Sequence, residues 1–457
     1  MTKLFGTTGV RKVYGSEFDL DMALNLGKSL GTYLEKGNVL IARDARITGR
    51  MVENALCAGI ISTGVNVVKA GIIPTPTLAY NTMKGGYNAG LMITASHNPP
   101  EYTGVKFWSQ TSIGYTSDKE KRIEKIYYSE NFKQADWDSL GSERVLETAV
   151  DRHIEGIINY CNVDQIKSQS FHVIVDPGNG TACVLTPYLM RKIGCRVTTL
   201  NGQLDGHFPG RCSEPDEESL TDLIEMVTKT NANLGIAHDG DSDRVVFVTE
   251  TGEVVRGDRV IALLAREILL KSGRGTIVTT VDSSRVLDET VEKAGGTTVR
   301  TPVGDIQVAV KVKELGAVLG GEACGVLIYP EFHLAPEPFL TACKIVEMMA
   351  RTKRSFGDLI SEIPVYPLMK TKIQCPNEKK TSAMENLANV LPNEISDIVD
   401  VITVDGIGLS LKDGWILVRP SGTEPVIRIT CESSSDEHVK KMLENSKTIV
   451  ERIISAG

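Results

Sequence analysis

The 457-residue sequence has no excess of basic residues. Its 50 Lys and Arg stand against 58 Asp and Glu, a formal net charge of −8. A chain that displaces counterions from nucleic acid needs a basic face, so no nucleic-acid partner is expected and any anionic substrate must be met by local arginines. Nine cysteines, at 57, 161, 183, 195, 212, 324, 343, 375 and 431, form no C-x-x-C pair. That argues against a zinc site or a small disulfide framework, and most are expected to be small buried hydrophobes. Apolar runs are short: the longest, Val260 to Leu270, is broken by Arg266 and Glu267 and falls below the roughly 20 residues of a membrane span. Met1 leads into Leu4-Phe5-Gly6-Thr7 without an apolar core, so neither a signal peptide nor a membrane partner is expected and the cytoplasm is the default compartment. A Walker A loop is also missing. What remains, 41% hydrophobic and 24% charged, is the composition of a globular enzyme. The chain is too long for one core, since cores stop growing near roughly 250 to 300 residues.

One unit occurs three times: an apolar strand, an Asp-containing loop, a helix, a glycine and a second strand. It is V-L-I-A-R-D-A-R (Val39 to Arg46), helical Ala55 to Ser62, then V-N-V-V-K-A-G; next V-I-V-D-P-G-N-G (Val173 to Gly180), helical Leu185 to Lys192, then C-R-V-T-T-L; last T-I-V-T-T-V-D-S-S (Thr276 to Ser284), helical Val286 to Lys293, then T-T-V-R-T-P-V-G. Strand, helix and strand in that order make a parallel crossover. After each unit a further strand runs into a polar loop: T-A-S-H-N-P, D-G-D-S-D-R and G-G-E-A-C-G. Ligands of open parallel sheets bind beyond the carboxyl ends of the strands, so these three loops can converge. After Pro364 the pattern changes to antiparallel strands with helix candidates at Ser382 to Val390 and about Glu437 to Ile454. The expected domains are 1–150, 151–250, 251–364 and 365–457.

Ser96 ends the strand Leu91-Met92-Ile93, which places its hydroxyl at the mouth of the sheet. A turn or helix cap accounts for such a serine equally well. His97 does not pair with it, because neighbours on extended chain point apart. Asp239, Asp241 and Asp243 crowd three carboxylates into five residues, which suits a hard divalent cation, Mg²⁺ or Ca²⁺. A solvated acidic turn is the alternative. An EF-hand is excluded, since Arg244 stands where its loop needs glycine; Arg244 instead offers a phosphate-pairing cation beside the carboxylates. R-P-S-G-T-E-P-V-I-R (Arg419 to Arg428) combines two arginines, two hydroxyls and a glycine, the elements of a phosphate clamp or of a plain hairpin. Glu322, between glycines, can accept hydrogen bonds from vicinal sugar hydroxyls.

With T-A-S-H-N-P, D-G-D-S-D-R, G-G-E-A-C-G and R-P-S-G-T-E-P in this order, and F-G-T-T-G-V-R at Phe5 to Arg11, the chain resembles the alpha-D-phosphohexomutases over nearly its full length. The resemblance implies three similar α/β domains with mainly parallel mixed sheets and a smaller C-terminal α+β domain around a central cleft. It implies a phosphoserine at Ser96, Mg²⁺ held by Ser96 with Asp239, Asp241 and Asp243, and Lys106 and Arg11 as basic residues beside the phosphoserine. It further implies sugar and phosphate contacts from Arg244, from Gly304 and Asp305 in P-V-G-D, from Glu322 and Cys324, and from Arg419, Ser421, Gly422, Thr423 and Arg428. Phosphoryl transfer demands positioning and charge neutralisation more than covalent chemistry from the protein. The expected reaction is interconversion of hexose 1- and 6-phosphates, glucose or mannose, through a hexose 1,6-bisphosphate, by a monomer or homodimer. Phosphoglucosamine mutase is the alternative within the class; a phosphosugar-binding protein without turnover and a metal-assisted phosphatase are the rivals outside it. Departures from the family pattern are Thr8, Lys12, Ser242, Cys324 and Val326, the last replacing a histidine of many relatives for which His333 is no assured substitute.

Overall fold

The computed structural model describes residues 4–6, 9–422 and 424–456. Thr8 and Thr423, singled out above, lie outside the described residues. The chain forms two compact units, one comprising residues up to Gly257 together with Cys324–Ser361, the other Asp258–Ala323 together with Glu362–Gly457. No helix among the described residues is long and apolar enough to cross a membrane.

In the first unit a six-stranded sheet has the order Val10–Val13, Tyr102–Ser109, Ala89–Ile93, Asn38–Arg43, Asn66–Ile72, Glu143–Val145. The last four pair in parallel, and the first two run antiparallel to their neighbours. Side chains alternate across a strand, and here both faces are apolar: Val39, Ile41, Leu91 and Ile93 enter one core, Leu40, Ala42 and Met92 another. A sheet covered on both faces is what near-continuous apolar strands require. Helices Leu20–Leu34 and Gly49–Ile61 pack closely because Gly27 and Gly59 have no side chain; a Cβ there meets the Leu56 and Leu24 carbonyls at 2.4 and 2.2 Å. The second helix starts before the expected Ala55, since Val52 continues the i, i+4 series of Leu56 and Ile60. The second sheet of this unit runs Val254–Val255, Val245–Thr249, Leu234–His238, His172–Asp176, Arg196–Thr199, with the last three strands parallel and the first two antiparallel to their neighbours.

In the second unit Thr276–Thr280 lies between Thr297–Thr301 and Leu319–Glu322, all parallel. The C-terminal sheet is antiparallel, in the order Leu368–Gln374, Val426–Glu432, Gly414–Pro420, Ile407–Leu411, Ile398–Ile402. Helices Asn377–Glu394 and Asp436–Ala456 cover it. The first exceeds the expected Ser382 to Val390 because its buried series, Ala383, Leu387 and Leu391, runs one turn further. Three α/β sheets of mixed, mostly parallel strands and one antiparallel α+β domain are the classes the sequence called for.

A polar group is fully buried in the first unit. The Glu337 carboxylate accepts from His153 Nε2 at 2.9 Å and His333 Nε2 at 2.7 Å, while its other oxygen caps helix Pro338–Thr352 through the Leu340 amide. His153 Nδ1 then accepts from the Thr77 hydroxyl and His333 Nδ1 from the Ala335 amide, so every ring nitrogen is paired. Tyr80 stacks on both His153 and Phe332, which also stack on each other. The cluster ties helices Thr75–Lys84 and Ala149–Ile158 to the 329–337 segment.

Burial pushes the Glu337 carboxyl up, but the two imidazoles outweigh it and hold it down to about 2. A depressed folded-state pKa stabilises fully above the unfolded value, about 4.3, and that contribution is lost as pH falls toward the folded value of about 2. Glu337→Gln sets an amide N–H against imidazole donors and is expected to cost about 2–4 kcal/mol at pH 7. Denaturant titration checks this; the variant also loses the part of the acid-side slope below about pH 4.3 that belongs to this carboxylate.

Candidate active site

The loop after strand Ala89–Ile93 carries Ser96, and the loop after Leu234–His238 carries the three aspartates. Within the first unit they meet: Ser96 Oγ donates to Asp239 Oδ2 at 2.9 Å. Ser96 has φ +52°, a left-handed conformation that costs a non-glycine residue about 1–2 kcal/mol. It is held there by its own N–H, which donates to Thr94 Oγ1 at 2.8 Å, while that hydroxyl donates to Asp44 Oδ2. The loops also touch by backbone, since a Cβ on Gly240 meets the Ser96 carbonyl at 2.7 Å.

Lys106 faces the same point from strand Tyr102–Ser109. Its Nζ lies 2.7 Å from Asp241 Oδ2 and 2.6 Å from Asp243 Oδ2, and the side chain is buried. Burial alone lowers a lysine, yet the two carboxylates outweigh it and hold Lys106 raised. Asp241 also accepts from the Thr75 hydroxyl and gives its carbonyl to the Thr75 amide. Burial raises its carboxyl, but Lys106 and the hydrogen bonds bring it below the usual range. Asp239 has no such cation in contact; burial and then the Asp243 and Asp241 charges push it well up. Ser242, between the ligand candidates, has φ +59° and its hydroxyl meets Thr181 Oγ1 at 2.9 Å.

Two oxygens in this group, Asp241 Oδ1 and Asp243 Oδ1, are buried without a hydrogen-bond partner. Carboxylate oxygens of all three aspartates lie within 4.8 Å of one another. Three carboxylates against one ammonium leave uncompensated negative charge, and orphaned oxygens are what a hard divalent cation takes up. The residues therefore fit Mg²⁺. The His153–His333–Glu337 group has a comparable spacing but does not fit a metal. His333 Nδ1 accepts an amide proton, so Nε2 carries the ring proton and has no lone pair to offer.

Cations surround the serine loop. Arg11, on strand Val10–Val13 opposite Gly104, has a buried Nε without a partner. The Arg244 amide donates to Asp239 Oδ1 at 3.2 Å, and its guanidinium reaches Glu214 at 2.9 and 3.2 Å. His97 is driven down to about 2 by burial and then by Arg244, Arg11 and Lys106, so its imidazole is neutral. Cys324 is exposed. Val326 is buried on strand Val326–Ile328, and His333 is committed to Glu337; neither stands in for the histidine of many relatives.

The other sequence-chosen residues lie in the second unit. Gly304, at φ +136°, donates its N–H to Glu322 Oε1 at 2.8 Å, and Asp305 opens helix Asp305–Leu315. Arg419 pairs directly across the sheet with Arg428, a juxtaposition of like charge that is unfavourable without anions. Arg419 Nη2 meets Asp405 at 3.0 Å and Arg428 meets Glu424. In the turn between them, which includes Gly422, Lys380 donates to the Ser421 and Glu424 carbonyls. The sequence pointed to none of Arg46, Thr75, Glu214, Lys380 or Asp405. Arg46 alone carried a signal, the R-D-A-R ending of the first repeat strand.

Models of the phosphoglucomutase/phosphomannomutase alpha/beta/alpha domains I, II and III and of the C-terminal domain match residues 2–134, 151–252, 256–366 and 371–446. A probable phosphoglucosamine mutase of Methanopyrus kandleri is 42% identical, covering 99% of each chain. A phosphoglucomutase/phosphomannomutase of Thermococcus kodakarensis is 39% identical, covering 99% of this chain and 100% of its own. Among solved structures, a phosphoglucomutase/phosphomannomutase family protein from Burkholderia thailandensis superposes with a TM-score of 0.88 at 27% identity, covering 99% of this chain and 98% of that one.

A cation that binds the folded aspartate group stabilises it by mass action, about 2.7 kcal/mol at one hundred times the dissociation constant. Mg²⁺ is therefore expected to raise the unfolding temperature of the wild type. Asp241→Asn, which removes a carboxylate with an orphaned oxygen, is expected to lose most of that rise; calorimetry with and without Mg²⁺ checks it.

Proposed function

The chain belongs to the phosphoglucomutase/phosphomannomutase family, the alpha-D-phosphohexomutases, and on that premise we propose that it interconverts glucosamine 1-phosphate and glucosamine 6-phosphate. It is a phosphohexomutase, an isomerase that moves a phosphoryl group within a sugar phosphate. Relatives named probable phosphoglucosamine mutase, at 42% identity in Methanopyrus kandleri and 41% in Methanobrevibacter smithii over 99% of this chain, favour the amino sugar. Glucose and mannose, which the sequence put first, become the second reading, supported by the Thermococcus kodakarensis relative at 39%.

The observation that carries the catalytic role is the Ser96 hydroxyl, 2.9 Å from Asp239 within the buried aspartate group. In the proposed cycle phosphorylated Ser96 gives its phosphoryl group to the free hydroxyl of the sugar phosphate. The resulting hexose bisphosphate turns over, and Ser96 takes back the other phosphate. Asp239, Asp241 and Asp243 would hold Mg²⁺, which would supply positive charge to the phosphoryl oxygens. Lys106 and Arg11 add fixed cationic donors, with Arg11 Nε already desolvated and unpaired, so little reorganisation is needed at the transition state. Because that transition state is loose, early proton removal matters less than in-line positioning, in keeping with valine at 326. Glu322 and Asp305 are assigned to the sugar, and Arg419, Ser421, Gly422, Thr423 and Arg428 to the non-reacting phosphate, on their match to the family pattern.

A coupled assay on the 1-phosphates of glucosamine, glucose and mannose tests this. The expected result is that kcat/KM for the glucosamine ester exceeds both others by about tenfold or more, the discrimination one well-placed polar contact supports. Preference for glucose or mannose overturns the sugar assignment. Release of inorganic phosphate in step with substrate loss identifies a phosphatase instead, and binding without turnover a phosphosugar-binding protein.

A further inference from the structure

Arg46 is a fully buried guanidinium in the first unit, 2% exposed. Its five N–H donors are all occupied. Nε meets Asp44 Oδ2 at 3.1 Å. One terminal nitrogen donates to the Pro99 carbonyl and, at 3.0 Å, to that of Tyr102. The other donates to the carbonyls of Ser96 at 2.9 Å and Asn98 at 2.6 Å. One side chain therefore collects four carbonyls between residues 96 and 102, the loop that carries the reactive hydroxyl. Asp44 closes the network from the other side, since its carboxylate accepts from Thr94 Oγ1, which accepts from the Ser96 amide. Both polar backbone atoms of Ser96 are thus tied to the Asp44–Arg46 pair.

The setting leaves Arg46 no other task. Asp44 neutralises it, and no donor remains for a phosphate, in contrast to the unpaired Arg11 Nε. The Phe208 ring covers it with the centroid 5.2 Å from the guanidinium carbon. Gly206 packs so closely on this segment that a Cβ there meets the Ala45 carbonyl at 2.5 Å.

We infer that Arg46 is a positioning residue for the phosphoryl-carrying serine: its fork of hydrogen bonds holds Ser96 in its left-handed conformation, so that Oγ stays on the aspartate group. The inference rests on the proposed role of Ser96. Lysine offers one point charge and three donors, and cannot span four carbonyls and a carboxylate.

The test compares wild type, Arg46→Lys and Thr94→Val, the last cutting only the Asp44–Thr94–Ser96 arm. Two readouts are taken: steady-state turnover of the sugar phosphate, and hydrogen exchange of the amides of residues 95–102. For Arg46→Lys kcat is expected to fall about 100-fold, the cost of a misplacement of about 1 Å, with KM unchanged and faster exchange confined to that loop. Thr94→Val shifts both readouts in the same direction by less, and decides the matter if Arg46→Lys does not fold. A lower melting temperature with kcat and loop exchange retained overturns the inference and leaves Arg46 a structural residue. If the wild type turns over no hexose phosphate, the proposed function fails, while the exchange measurement still decides whether Arg46 holds the loop.

Discussion

Three carboxylates buried within five residues are the constraint on which the rest of the site depends. Charges of one sign cannot be taken out of water together without compensation. The fold answers with Lys106, brought between Asp241 and Asp243 by a strand from the other sheet, and leaves two oxygens unsatisfied. That residual deficit fits a divalent cation. Ser96, whose hydroxyl reaches Asp239, is thereby held beside this group, with Lys106 bound to two of the same aspartates.

A second device recurs in the separate domains. Functional loops cannot be regular structure, and their carbonyls need donors. Arg46 supplies them to the serine loop, and Arg211 to the His238 carbonyl that precedes the metal loop, anchored on Asp176. Arg300 supplies them to the carbonyls of Thr280, Ser283 and Ser284, and Lys380 to the turn between Arg419 and Arg428. The three arginines are each paired with a carboxylate, Asp44, Asp176 and Asp288, so their charge is compensated where they hold these loops.

Much of this was legible in the sequence, for physical reasons. Strands buried on both faces write themselves as apolar runs, and an acidic triplet at a strand end suggested a cation, although only its burial separates it from a solvated turn. The three repeat units and the classes of all four domains followed. The resemblance supplied the order of the loops, and with it Ser96 and Lys106. What stayed hidden were residues that act through distant partners. Thr75 meets Asp241 from 166 positions away, and Glu337 joins His153 across 184. His333 illustrates the same limit: only its hydrogen bonds show that it is spent on Glu337. Choice of sugar was equally out of reach, because the resemblance assigns Glu322 and Asp305 to a sugar without distinguishing one hexose from another.

The central claim is that Ser96 carries the phosphoryl group through the cycle, and intact-mass measurement of the purified protein tests it most directly. The expected result is a fraction of chains heavier by one phosphate, mapped to Ser96, which discharges on addition of excess hexose 1-phosphate. Ser96→Ala is expected to lack both the added mass and turnover. Turnover retained in Ser96→Ala, or phosphate found on another residue, contradicts the account.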